Sequence, residues 1–257
     1  MNENSYKENK GSFIIGRNAV TEALKGSRDI DRLYIQNVEN KSAMGKIIAL
    51  AKDKGIPIKE VSAQKLAEMA DGEIHQGVIA SCSAKNFSTL EEVFEMLNGE
   101  SPFFIIADEL EDPHNLGAII RTAEAAGANA VIIPKRRGVG LTATVARTSA
   151  GAIEYMPVVR VTNIVDTIKQ LKEKNIWIYG ADMDGENWCQ TDFSGGVALV
   201  IGSEGKGISR LVRENCDVIV SLPMCGNINS LNESVAAGIL MYEVTRQRLA
   251  IKAKNPK

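Results

Sequence analysis

Phe103-Phe104-Ile105-Ile106-Ala107 and, five residues on, Asp112-Pro113-His114-Asn115-Leu116-Gly117-Ala118-Ile119-Ile120-Arg121-Thr122-Ala123 decide the fold class. The first run is apolar, unbroken and of buried-strand length. The second opens on proline and an asparagine of N-cap type and continues at helical spacing, so Asn115 is expected to cap a helix. Strand-like runs recur at 130–133, 156–161, 176–180, 197–201 and 218–222 with helical segments between them. This alternation predicts an α/β domain on a parallel sheet over residues 102–257. Ligands of open parallel sheets lie beyond the carboxyl ends of the strands. The loops after Ala107, Ile201 and Leu222 are therefore where chemistry is expected.

Upstream, residues 12–85 alternate between helix at 17–24, 42–54 and 63–70 and strand at 32–35, 58–61 and 78–82. They predict a small α/β domain of their own. Residues 86–101, a polar stretch and a helix closed by Asn98-Gly99 and Pro102, are read as the linker. Residues 1–11 mix charges of both signs without an apolar core, so they are expected to be a disordered, solvated tail rather than a signal peptide. The length of 257 residues favours this division into two compact units.

Composition excludes several classes. With 44% apolar and 24% charged residues the chain matches folded globular proteins. No apolar run approaches the roughly 20 residues of a membrane helix. Cys82, Cys189, Cys216 and Cys225 are scattered and His75 and His114 are the only histidines, so no metal is expected; the cysteines read as reduced thiols of a cytoplasmic protein. A net charge of −2 argues against coating nucleic acid by bulk electrostatics, so any nucleic-acid contact has to come from local patches. Lys135-Arg136-Arg137, directly after a predicted strand, is either such a patch or a solvated turn.

Each of the three loops carries polar groups. Arg121 sits in an otherwise small and apolar helix, where a guanidinium needs an anionic partner or a route to solvent. The second loop, Gly202-Ser203-Glu204-Gly205-Lys206-Gly207, fits neither the dinucleotide fingerprint nor the phosphate-loop spacing, but its glycines let backbone approach a ligand closely. The third loop reads Leu222-Pro223-Met224-Cys225-Gly226-Asn227-Ile228-Asn229-Ser230-Leu231-Asn232-Glu233-Ser234. Ser230 and Glu233 have capping-box spacing, which leaves Asn227, Asn229 and Asn232 without an explanation.

In order and spacing, N-L-G-A-I-I-R-T-A, I-G-S-E-G-K-G-I-S and L-P-M-C-G-N-I-N-S-L-N-x-S-V-A-A-G resemble the three motifs of the SpoU family of RNA ribose methyltransferases. Residues 13–20 and 75–78 resemble its ribosomal-protein-like substrate-binding domain. The resemblance implies transfer of a methyl group from S-adenosylmethionine to a ribose 2′-hydroxyl, with a guanosine of 23S ribosomal RNA as the expected target. It also implies a deep trefoil knot in the catalytic domain, against the general rule on knots, and a homodimer that shares active-site residues. Asn115, Arg121, Glu204, Ser230 and Asn232 match the family's functional polar set. Gly202, Leu222 and Leu231 match its donor-cradling positions, and Met224 is expected to line the same cavity. Arg17, Lys135, Arg136 and Arg137 are the expected RNA contacts. Glu233 departs from the pattern, standing where the family usually carries a small or apolar residue.

Arginine ordinarily stays protonated, so Arg121 is expected to stabilise a developing alkoxide rather than to act as a base, with Glu204 orienting it or neighbouring groups and Ser230 and Asn232 holding substrate and loop geometry. Two other readings remain open: an enzyme of a different target, either transfer RNA ribose or, as in the related resistance methyltransferases, another site on ribosomal RNA; and a non-catalytic RNA-binding or ribosome-assembly protein on the same fold.

Overall fold

A computed structural model of the chain describes residues 12–26, 28–37, 44–82 and 86–250. The expected tail at 1–11, the first residues of the helix expected at 42–54 and part of the polar stretch after residue 82 lie outside the described residues. The chain forms two compact units, one of residues 1–86 with 141–155, the other of 87–140 with 156–257.

The first unit carries a four-stranded sheet. Its elements are β1 (Ser12–Ile15), α1 (Arg17–Lys25), β2 (Ile30–Gln36), α2 (Gly45–Asp53), β3 (Ile58–Val61), α3 (Ala63–Ala70) and β4 (Val78–Cys82), with strand order β1-β4-β2-β3. β4 runs antiparallel to both β1 and β2, and β2 pairs in parallel with β3. Val20, Leu24 and Ile47 of α1 and α2 pack with Leu33 and Ile35 of β2, while Leu66 of α3 packs with Ile15 and Ile79. The alternation of inward side chains along β2 and β4 thus feeds two cores. β1 was not anticipated from the sequence; its apolar residues are too few to show a period.

The second unit holds a six-stranded, all-parallel sheet. After α4 (Leu90–Met96) come β5 (Phe103–Ala107), α5 (Pro113–Ala125) and β6 (Ala130–Pro134). A short helix α6 (Ala143–Thr148) then packs with the first unit, and β7 (Val158–Val161), α7 (Ile164–Glu173), β8 (Ile176–Asn187), β9 (Gly196–Ile201), α8 (Arg210–Glu214), β10 (Val218–Ser221) and α9 (Glu233–Arg248) follow. The order β10-β8-β9-β5-β6-β7 puts β5 and β9 side by side at the sheet centre. Every residue of both strands is buried, as the unbroken apolar runs require for a sheet covered on both faces. Each large side chain so buried contributes roughly 1.5–3 kcal/mol. Connections from β5 lead outward one way, to β6, and those from β9 the other, to β10. The β5/β9 boundary is therefore a switch point, with a crevice at its carboxyl end.

The sequence division assigned 141–155 to the catalytic domain, whereas in the structure this segment packs within the first unit. Glu73 receives Arg147 at 2.5 Å, Arg28 meets Glu154 at 2.8 Å, and the Tyr155 hydroxyl donates to Glu22 at 2.7 Å. Lys25 and that hydroxyl hold the Glu22 carboxyl below its ordinary range.

Both expected helix caps move. α5 is capped by Asp112, which accepts from the His114 amide at 2.8 Å; Pro113 takes the first helical position, and Asn115 falls inside the first turn. α9 is capped by Asn232, whose Oδ1 accepts from the Ser234 and Val235 amides, so the Ser230–Glu233 capping box does not form and Glu233 begins the helix.

Candidate active site

The glycine-rich and asparagine-rich loops face one cleft of about 230 Å³ in the second unit. Gly202, Glu204, Leu222, Met224, Ser230 and Leu231 all line it. It lies at the carboxyl end of β9, beside the switch point. The second loop closes on itself through reciprocal backbone bonds between Ser203 and Gly207, at 2.8 and 3.1 Å. Gly202 is required there, since a Cβ would lie 2.1 Å from the Gly207 carbonyl carbon. Asp108 ties the loop to β5: its buried carboxylate accepts from the Ser209 amide at 2.7 Å, and burial raises its pKa above the ordinary value.

Sequence reading missed one wall of the cleft. β8 pairs with β10 up to Gly180 and resumes at Glu186, so residues 181–185 bulge out of the register. Asp182 and Met183 of this bulge line the cleft, although their polar surroundings carry no strand signal. Gly185 makes the return possible, because a Cβ would meet the Ile219 backbone at 2.5 Å. Asp182 is fully engaged, ion-paired with Arg213 and accepting from the Met183 amide.

Asn115 and Asn232 stand behind the cleft. Asn232 Nδ2 donates to Asn115 Oδ1 at 3.1 Å, and Asn115 Nδ2 donates to Glu233 Oε1 at 2.7 Å. Glu233 reaches the cleft wall as well. Its packing at the start of α9 was also missed, because its spacing from Ser230 suggested a surface cap.

Arg121 is exposed on α5 and does not line the cleft of its own chain. Among the described residues no hydrogen bond or ion pair joins it to Glu204, which is exposed at the cleft rim. Lys135, Arg136 and Arg137 are exposed on the loop after β6, at the carboxyl end of the same sheet. That loop is anchored by the Val139 amide donating to the Leu110 carbonyl at 2.8 Å, and Arg137 lies 3.6 Å from Glu109. Arg17 is exposed in the first unit, where its amide and Nε donate to the side chain and backbone oxygens of Gln76, both at 2.9 Å. It borders a concavity of about 690 Å³ with His75 and Gln76.

Two family models match the chain: the SpoU rRNA Methylase family over residues 102–242, and RNA 2′-O ribose methyltransferase substrate binding over residues 13–88. YacO of Bacillus subtilis, assigned by name to the TrmH family of tRNA/rRNA methyltransferases, is 50% identical over 92% of this chain and 96% of its own length. The 23S rRNA (guanosine-2′-O-)-methyltransferase RlmB of Ralstonia nicotianae is 40% identical over 95% and 99%. Among solved structures, the SpoU methyltransferase AviRb from Streptomyces viridochromogenes, in complex with AdoMet, has a TM-score of 0.79 at 23% identity, covering 97% of this chain and 95% of AviRb. At that identity the likeness establishes the fold.

Proposed function

We propose that this chain, which belongs to the SpoU rRNA Methylase family, transfers a methyl group from S-adenosylmethionine to the ribose 2′-hydroxyl of a guanosine in 23S ribosomal RNA. One observation carries the reading: the glycine-rich and asparagine-rich turns, 20 to 30 residues apart in sequence, line a single cleft beside the switch point. Its features suit an amphipathic, cationic ligand. Leu222, Leu231 and Leu240 offer apolar wall, Gly202 allows close backbone approach, and the buried Glu233 supplies a carboxylate. The 40% identity to RlmB supports the ribosomal target, and the match over residues 13–88 supports residues 12–85 as the RNA-holding domain, with Arg17 among its contacts.

S-adenosylmethionine, when bound, supplies an electrophilic methyl group on a sulfonium. The protein's own residues position the ribose oxygen and manage its charge. Arg121 stays protonated and stabilises negative charge growing on the 2′-oxygen, its planar fork giving two donors in one direction. Glu204 orients that guanidinium, and Asn115 and Asn232 hold the third loop against α5. Since Arg121 does not line its own cleft, the reading requires a homodimer in which it serves the partner's. Val235 and Tyr242, exposed seven residues apart on α9, and Ile228 at 76% exposure on the third loop offer the apolar surface for that interface. Lys135, Arg136 and Arg137 contact RNA phosphates.

The reading includes a deep trefoil knot. After edge strand β10 the third loop carries the chain back, and α9 packs against α5 and central strand β9. That return path supports threading through the loop that follows β9.

Mapping 2′-O-methyl sites in ribosomal and transfer RNA, with and without the protein, tests the reading. One protein-dependent guanosine in 23S RNA is the expected result. A transfer-RNA site would favour the other substrate class in the YacO family name. RNA binding without formation of S-adenosylhomocysteine would favour a non-catalytic assembly protein.

A further inference from the structure

Among the described residues, two buried carboxylate oxygens have no hydrogen-bond partner: Glu73 Oε2 and Glu233 Oε2. The first lies 2.5 Å from the Arg147 guanidinium, so its charge is answered. The second has no such neighbour. Glu233 is 8% exposed, its Oε1 is committed to Asn115 Nδ2 at 2.7 Å, and the residue lines the cleft. Its position at the first residue of α9 offsets part of the charge through the helix dipole, but gives Oε2 no directed donor. A carboxylate oxygen without water or a partner is costly, and such a group in a folded protein calls for an explanation.

The other carboxylates of the cleft do not share this situation. Asp182 is held by Arg213 and the Met183 amide, and Glu204 is exposed to solvent. Glu233 alone combines burial, a fixed orientation and an unused acceptor. It is also bonded to Asn115 and adjacent to Asn232, both assigned above to the polar set around the reacting atoms.

We propose that Glu233 is a specificity-determining residue that holds a negative charge toward the sulfonium centre, so that the cleft selects S-adenosylmethionine over S-adenosylhomocysteine. This rests on the reading of the cleft as the donor site. The two molecules differ by one methyl group and the positive charge it places on sulfur. Their shared ammonium, carboxylate and adenosine interact alike in both complexes. A carboxylate near sulfur therefore discriminates between them, and the small or apolar side chain expected at this position from the family pattern cannot do so by charge.

The test is calorimetric titration of the full-length protein with both compounds, and with an analogue that carries a protonated amine in place of the sulfonium methyl. Glu233→Gln keeps the acceptor for Asn115 and the side-chain shape while removing the charge. Expected is a weakening of S-adenosylmethionine and the cationic analogue by about tenfold, with S-adenosylhomocysteine changed by about twofold or less. Glu233→Val, read alongside, covers the case in which the amide variant does not fold. Equal weakening of all three ligands, or an unchanged preference in a folded variant, overturns the proposal while leaving the donor site in place. A wild-type protein that binds none of the three overturns the donor-site reading itself, and the proposal with it.

Discussion

Asn115 Nδ2 donates to Glu233 Oε1 at 2.7 Å, fastening the first turn of α5 to the first residue of α9. Asn115 also accepts from Asn232 Nδ2 at 3.1 Å, and Asn232 caps α9. One buried amide thus fixes the end of the third loop. The geometry of the cleft wall depends on a residue that does not line it.

Asn115→Ala removes the acceptor of the Asn232 amide and the donor that satisfies the buried Glu233 Oε1. The expected cost is about 2–3 kcal/mol, read from urea denaturation midpoints at constant slope. Asn115→Asp keeps the shape but sets a second carboxylate against Glu233, and should be at least as damaging. A stability change within about 0.5 kcal/mol for both variants would show that the bridge contributes little.

Gly202 faces the tightest backbone approach in the cleft. Gly202→Ala must push Gly207 and Ile208 aside, at an expected cost of about 1–3 kcal/mol together with loss of donor binding. Gly205 is the control, since a Cβ there meets nothing within 4 Å, although its φ of +79° strains any side chain. Thermal melts and donor titration of both variants check this; equal donor affinity in Gly202→Ala and wild type contradicts it.

The sheet was legible in the sequence because β5 and β9 are buried on both faces and so carry unbroken apolar runs. The loops were legible from their glycine and asparagine content. The helix starts were not. Asn227, Asn229, Ser230 and Asn232 can all cap a helix, and the choice falls to Asn232, whose amide also reaches Asn115, 117 residues earlier. At α5 the position of Pro113 gives the cap to Asp112. The packing of 141–155 depends on partners such as Glu73 and Arg147, far apart in sequence and invisible to any local period. The bulge at 181–185 has the polarity of a loop, and only its pairing on both sides marks it as an interruption within β8.

Asp108 gives the stability of the second unit a pH signature. Burial is the larger influence and raises its pKa above 3.8, against the opposing bond from the Ser209 amide. A carboxyl raised on folding contributes stability that is full below its unfolded pKa and is lost as pH rises through the folded value. Asp108→Asn retains an acceptor for Ser209 and has nothing to ionise. Relative to wild type, the variant should therefore gain stability as pH rises from about 4 to 7. Urea midpoints at several pH values measure it, and a difference that is flat or reversed across that range removes Asp108 as the source.

The exposed position of Arg121, away from the cleft of its own chain, yields a prediction about assembly. If the guanidinium serves the partner's cleft, Arg121→Ala and a variant with a filled cleft, such as Met224→Trp, are each inactive alone. Mixed and allowed to exchange subunits, half the dimers pair one chain of each kind. In these, the intact cleft of the first chain meets the intact arginine of the second, so about a quarter of wild-type activity should return. Action within one chain predicts no recovery, because no protomer of the mixture carries both groups. Differently tagged subunits, purified as the mixed dimer before the methyl-transfer assay, should show about half of wild-type activity, one site in two, and separate the two cases.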